Sequence, residues 1–120
     1  MNRLINRSNH PSDKWSKEQV AAAMIYGEVI DMPFPMVNAD ASENDVEALA
    51  NVLINKIQNY GSPGTVTVHV MGEMTLTYNL VRKLKEASYK CVASTTDRMV
   101  RDLDDGRKEV TFRFVKFREY

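Results

Sequence analysis

Ser94-Thr95-Thr96-Asp97-Arg98 sets three hydroxyls and a guanidinium within five residues. That combination suits a phosphodiester, because hydroxyls donate to phosphate oxygens while arginine offsets the charge developing on them. Ser8-Asn9-His10 adds a hydroxyl, an amide and an imidazole in consecutive positions, groups able to hold a phosphate, orient an attacking hydroxyl or pass a proton. Gly72-Glu73-Met74-Thr75 is the third candidate. It stands where a strand should turn into a helix, and free backbone N–H groups at the positive end of a helix dipole hold anions. Each has a plainer reading. Asn9 and His10 before Pro11 suit a turn, Glu73 suits an acidic first helical turn, and Thr95 or Thr96 suits a helix cap with Arg98 pairing to Asp102 at i+4.

Other chemistry is poorly served. Neither GxGxxG nor GxxxxGK[ST] occurs, which argues against an ordinary dinucleotide or P-loop triphosphate site. The single cysteine, Cys91, closes no internal disulfide, and no Cys or His pair has zinc spacing, so neither a disulfide framework nor a zinc or cofactor site is expected. His69, in mid-strand, reads as a hydrogen-bonded interior group. Trp15, Tyr26, Tyr78 and the phenylalanines read as core or interface.

These loops need a scaffold, and 120 residues allow one compact domain, expected over residues 1–120. Sixteen basic and sixteen acidic side chains cancel, which argues against general DNA or RNA binding. The halves differ in sign, −3 over residues 1–60 and +3 over 61–120, so a local anion site is better sought in the second. The longest apolar run, Val20 to Tyr26, is far below the roughly 20 residues of a membrane span. With no apolar signal region at the start, the expectation is a soluble, cytoplasmic protein without membrane partners.

Leu4-Ile5-Asn6-Arg7 reads as a first strand and Ser16-Lys17-Glu18-Gln19 as a capping box opening a helix that Gly27 ends. Glu28 to Met32 is a second strand. Ser42 caps a helix whose Val46, Leu49, Ala50, Leu53, Ile54 and Ile57 form one stripe. Thr65 to Met71, β-branched at nearly every position, is a central strand. Leu76, Leu80, Leu84 and Ala87 mark the next helix, Cys91 to Ser94 a fourth strand, and Arg98 to Leu103 a short helix. After the Asp104-Asp105-Gly106 turn, Glu109 to Phe117 alternates Val110, Phe112 and Phe114 inward with Thr111 and Arg113 outward, an outer antiparallel strand. Three strand-helix-strand units imply an α/β, Rossmann-like domain with a mainly parallel sheet. Ligands then bind beyond the carboxyl ends of the strands, where Ser8–His10, Met71–Thr75 and Ser94–Arg98 should meet.

The order and spacing of Ser8-Asn9-His10, WSKEQ, Val70-Met71-Gly72-Glu73-Met74-Thr75, Ala93-Ser94-Thr95-Thr96-Asp97-Arg98 and Phe112-Arg113-Phe114-Val115-Lys116-Phe117-Arg118-Glu119-Tyr120 resemble the small CRISPR-associated, CARF-like ring nucleases, over nearly the whole chain. The resemblance implies a homodimer that binds cyclic oligoadenylate, the tetra-adenylate foremost. It implies cleavage without metal, by attack of a ribose 2′-OH on the neighbouring phosphate, which switches off type III CRISPR signalling. A non-catalytic sensor or sponge for the same ligand is the alternative. On this resemblance Thr95 and Thr96 meet phosphate oxygens, Arg98 meets developing charge, and Asn9 and His10 orient the 2′-OH or move its proton. Gly72, Met74 and Thr75 line the ring, Glu73 meets a sugar or base, and Ser8 and Ser94 complete the rim. Glu73 and the zero net charge depart from a simple basic pocket.

Overall fold

In the computed structural model, which describes residues 1–120, β1 (Arg3–Ser8), α1 (Lys17–Ala23), β2 (Glu28–Asp31), α2 (Glu43–Gln58), β3 (Val66–Met71), α3 (Met74–Glu86), β4 (Lys90–Asp102) and β5 (Lys108–Glu119) follow one another, with 3₁₀ turns at Ser12–Lys14 and Met24–Tyr26. They build one five-stranded sheet in the order β2-β1-β3-β4-β5. β1 lies parallel to both β2 and β3, and β3 parallel to β4; only the β4–β5 pair is antiparallel. The expected Rossmann-like α/β architecture is therefore the observed one. No helix is long and apolar enough to cross a membrane.

Local chemistry sets the helices. Ser42 accepts from Asp45 N–H while Asp45 accepts from Ser42 N–H, satisfying donors that a helix start leaves free. At α1 only half of the expected box forms: Ser16 accepts from Gln19 N–H, and Gln19 returns no bond. Gly27, at φ 117°, runs so close to Asn2 that an added Cβ would lie 2.1 Å from its carbonyl oxygen. No other residue fits there.

Two cores cover the two sheet faces. Ile5, Val66, Val68, Val70 and Cys91 meet the stripes of α2 and α3, and Leu4, Val92, Phe114 and Phe117 meet Ala23 of α1. α1 thus lies on one face and α2 and α3 on the other. The chain steps from β1 out to β2 through α1 on one face and returns from β2 past β1 to β3 through α2 on the other, so the topological switch point falls between β1 and β3.

Two expectations fail beyond the sheet. The helix expected over Arg98–Leu103 is absent, because β4 runs on to Asp102 and pairs with β5 down to Lys108. Backbone groups that a helix would have satisfied locally are satisfied across the hairpin instead. Thr95 and Thr96 therefore cap nothing, and Arg98 stands opposite Phe112, not in an ion pair with Asp102. The alternation expected in β5 also breaks. Thr95 pairs with Lys116 but Thr96 with Phe114, leaving Val115 as a bulge. The bulge lets Phe114 and Phe117, three apart, both face the core, while Val110 and Phe112 remain exposed.

Candidate functional site

β1 and β3 present their carboxyl ends side by side, Ser8 opposite Met71 and Asn6 opposite His69. Beneath this crest lies a buried polar network on the α1 face. Asn6 Nδ2 donates to His10 C=O (2.9 Å) and Asp31 Oδ1 (2.8 Å). Those two acceptors fix the amide's orientation, so Oδ1 accepts from Ser8 Oγ (2.7 Å) and from His69 Nδ1 (2.8 Å). His69 consequently carries its proton on Nδ1 and leaves Nε2 bare, buried and without a partner, edged by Trp15 and Phe117. Asp31 also accepts from the N–H and hydroxyl of Ser12, and Trp15 Nε1 donates to His10 C=O at 3.0 Å. The loop carrying Asn9 and His10 is thus anchored at several points, while the side chains of Asn9 and His10 are exposed and make no bond within the chain.

Burial, with the nearby His10 charge, lowers the His69 pKa from its ordinary 6.5 to about 4. The unfolded chain therefore binds more protons between these values. Stability is fully present above pH 6.5 and falls as pH drops through the 6.5-to-4 window, by up to about 3 kcal/mol. Urea unfolding across that window measures it; a His69→Gln variant should lose most of the slope, and an unchanged slope would place the titration elsewhere. Burial alone would raise the Asp31 pKa, but the bonds from Asn6 and Ser12 outweigh it and lower it. Cys91, buried, has its thiol pushed up to about 12, which keeps it protonated.

At the other lip, Glu73 caps α3. Its carboxylate accepts from Thr75 Oγ1 (2.6 Å), Leu76 N–H (2.8 Å) and Thr75 N–H (3.1 Å), and these bonds lower its pKa. The N–H groups expected to await a phosphate are therefore already occupied by a carboxylate. Between the lips runs the β2–α2 connection, residues 32–42, as a strap. Met32 N–H and Phe34 N–H bond the carbonyls of Asn6 and Ser8, and the Phe34 ring lies flat on Gly72, where a Cβ would sit 2.5 Å from three ring atoms. Two hollows flank the strap. One of about 140 Å³ is lined by Asn6, Ser8, Asn9, Pro11, Asp31, Pro33 and Phe34. Another of about 330 Å³ is lined by Asn9, Glu73 and strap residues 34–37.

Not all expected residues converge. Asn9 and Glu73 share a hollow, and Ser8 adjoins it. Gly72 and Met74 open onto an apolar hollow with Tyr78 and Tyr120, and Thr75 onto one between α2 and α3 with Ser42 and Asn79. Ser94 donates to Met71 Sδ at 3.0 Å, beside the crest. Thr95 is bound to Lys116 backbone on both sides. Thr96 and Arg98 lie further along β4, roughly 7 and 13 Å beyond Ser94 at the rise of an extended strand, on the exposed hairpin. Arg7, Asp31 and Phe34 carry no sequence signal for a place in the site. Arg7 is 4% exposed, and burial lowers its pKa.

Residues 2–118 match a family model described as the uncharacterized protein MJ1673 family. The chain belongs to that family. No curated protein and no solved structure matches it significantly. The span shared with the MJ1673 family takes in the crest, the strap and nearly all of the β4–β5 hairpin.

Proposed function

We propose that this protein is a CRISPR-associated ring nuclease. It binds cyclic oligoadenylate, the tetra-adenylate foremost, across the crest of a homodimer and opens it by 2′-OH attack. The observation that carries this reading is the hollow shared by Asn9 and Glu73 at the switch point, with the free His10 imidazole on the same loop. In the reaction the 2′-oxygen bonds to phosphorus, the bond from phosphorus to the 5′-oxygen breaks, and a 2′,3′-cyclic phosphate end remains. His10 takes the 2′-OH proton, solvent water supplies the proton that turns the departing 5′-oxygen into a hydroxyl, and Asn9 orients the ribose, while Thr96 and Arg98 approach the phosphates from the hairpin.

The hairpin supports the second copy. Met99, Val100, Val110 and Phe112 are exposed on it, and the radius of gyration, 16.1 Å, exceeds the roughly 14 Å usual for this length. A two-fold ring suits a two-fold dimer. Incubation with cyclic tri-, tetra- and hexa-adenylate in EDTA, followed by chromatography, should yield linear products ending in the cyclic phosphate. His10→Ala should slow cleavage about 100-fold; intact rings in every case would refute the nuclease. Binding without cleavage is the second reading, favoured by the hydroxyls of Thr75 and Thr95 being held internally. Tight binding with the ring intact would establish it.

A further inference from the structure

Arg7 is the penultimate residue of β1, on the face opposite the polar network and immediately before Ser8 at the switch point. It is buried, yet it joins none of the chain's ion pairs. One terminal nitrogen donates to Pro33 C=O at 3.1 Å, the other to the thioether of Met32 at 3.0 Å, and Nε, also buried, has no partner. A guanidinium offers five donors matched to the oxygens of a phosphate or carboxylate. Here it holds one carbonyl and one sulfur, which is a weak acceptor. Buried cations are ordinarily paired, since desolvating an unpaired charge is costly.

Both partners of Arg7 belong to the start of the strap, which is tied to β1 by two backbone bonds, rests its Phe34 ring on Gly72 and packs Met32, Val37 and Ala41 against the core. A shift of Met32 and Pro33 would free the two terminal nitrogens that now reach the strap. The N–H groups of α3 do not compete for an anion there, because Glu73 already fills them.

We propose that Arg7 is the anchor of a phosphoryl-binding site beneath the strap, whose ligand replaces Met32 and Pro33 as the guanidinium's partner and displaces the strap. The inference rests on the reading of the crest as a phosphodiester site, and it adds the residue that holds the phosphate and the segment that must move.

Thermal unfolding of the full chain, in inorganic phosphate and in cyclic tetra-adenylate, each against chloride of matched ionic strength, tests it. In tens of millimolar phosphate, or in excess cyclic tetra-adenylate, the wild type should melt about 3 °C or more higher. Stabilisation by phosphate assigns a site for the free anion, and stabilisation by the cyclic compound alone assigns one for a diester; either supports the proposal if Arg7→Met abolishes it. Arg7→Met should melt no lower than the wild type in chloride, because it removes an unpaired buried charge; a lower melting point with anion stabilisation retained would mark Arg7 as a mere clamp on the strap. Should Arg7→Met not fold, Arg7→Gln, which keeps a donor for Pro33, serves in its place. In the wild type, hydrogen exchange at Met32 and Phe34 N–H should quicken on adding the ligand. No stabilisation by either compound, or unaltered exchange at those amides, would overturn the site. Ring cleavage persisting in Arg7→Met would remove this anchor and leave the nuclease intact, whereas phosphate protection without cleavage would do the reverse.

Discussion

Asn6→Ala is expected to lower the free energy of unfolding by about 3 to 4 kcal/mol, read as a fall of more than about 1 M in the urea midpoint. One 1% exposed side chain serves four partners on three segments: Asp31 of β2, His69 of β3, and Ser8 and the His10 carbonyl of the crest loop. Truncation leaves His69 Nδ1–H without a partner and the Ser8 hydroxyl donating only its 3.3 Å bond to the His10 carbonyl, and a buried group without a partner loses its hydration with no return. Asn6→Asp should be comparably damaging, since it brings a second carboxylate oxygen to where Nδ2 now stands 2.8 Å from Asp31. A loss within about 1 kcal/mol in both variants would mean that water replaces the amide.

The second large effect lies in the strap. Phe34→Ala should cost about 3 kcal/mol through the cavity it leaves, and Gly72→Ala about 2 kcal/mol, because its new Cβ must push the Phe34 ring aside. The two are coupled: with Phe34 truncated, Gly72→Ala should cost close to nothing, so the double variant is no less stable than Phe34→Ala alone. Strict additivity, measured by urea unfolding of all four proteins, would show that the ring does not rest on Gly72.

What the sequence disclosed was local. The stripe of α2, the β-branched run of β3 and the cap at Ser42 each lie within one segment, and their periodicity is enough to place them. The hairpin was misread because its partner strand lies beyond a turn: Arg98 to Asp102 become extended only by pairing with Lys108 to Phe112. The Asp104-Asp105-Gly106 turn between two β-branched runs carried the available signal. The bulge at Val115 has no local mark, so the phenylalanines of β5 could not be sorted into inner and outer ones. The site suffered similarly. The pairing of Asn6 with His69 depends on the register of two parallel strands separated in the chain by α1, β2 and α2, and a register is not written in either strand. Nothing in the residues beside Arg7 marks it as buried; that it is covered follows from the path of the strap over β1.

The central claim is that the Ser8–His10 loop and the start of α3, far apart in the chain, receive one cyclic nucleotide together at the crest. Amide chemical shifts of the isotope-labelled protein on titration with cyclic tetra-adenylate test it most directly. The expected outcome is saturable shifts at Ser8, Asn9, His10 and Gly72 to Thr75, extending to Met32 and Phe34. Shifts confined to the far faces of α2 or to the hairpin tip at Asp104–Gly106, or a spectrum unmoved by excess ligand, would contradict it.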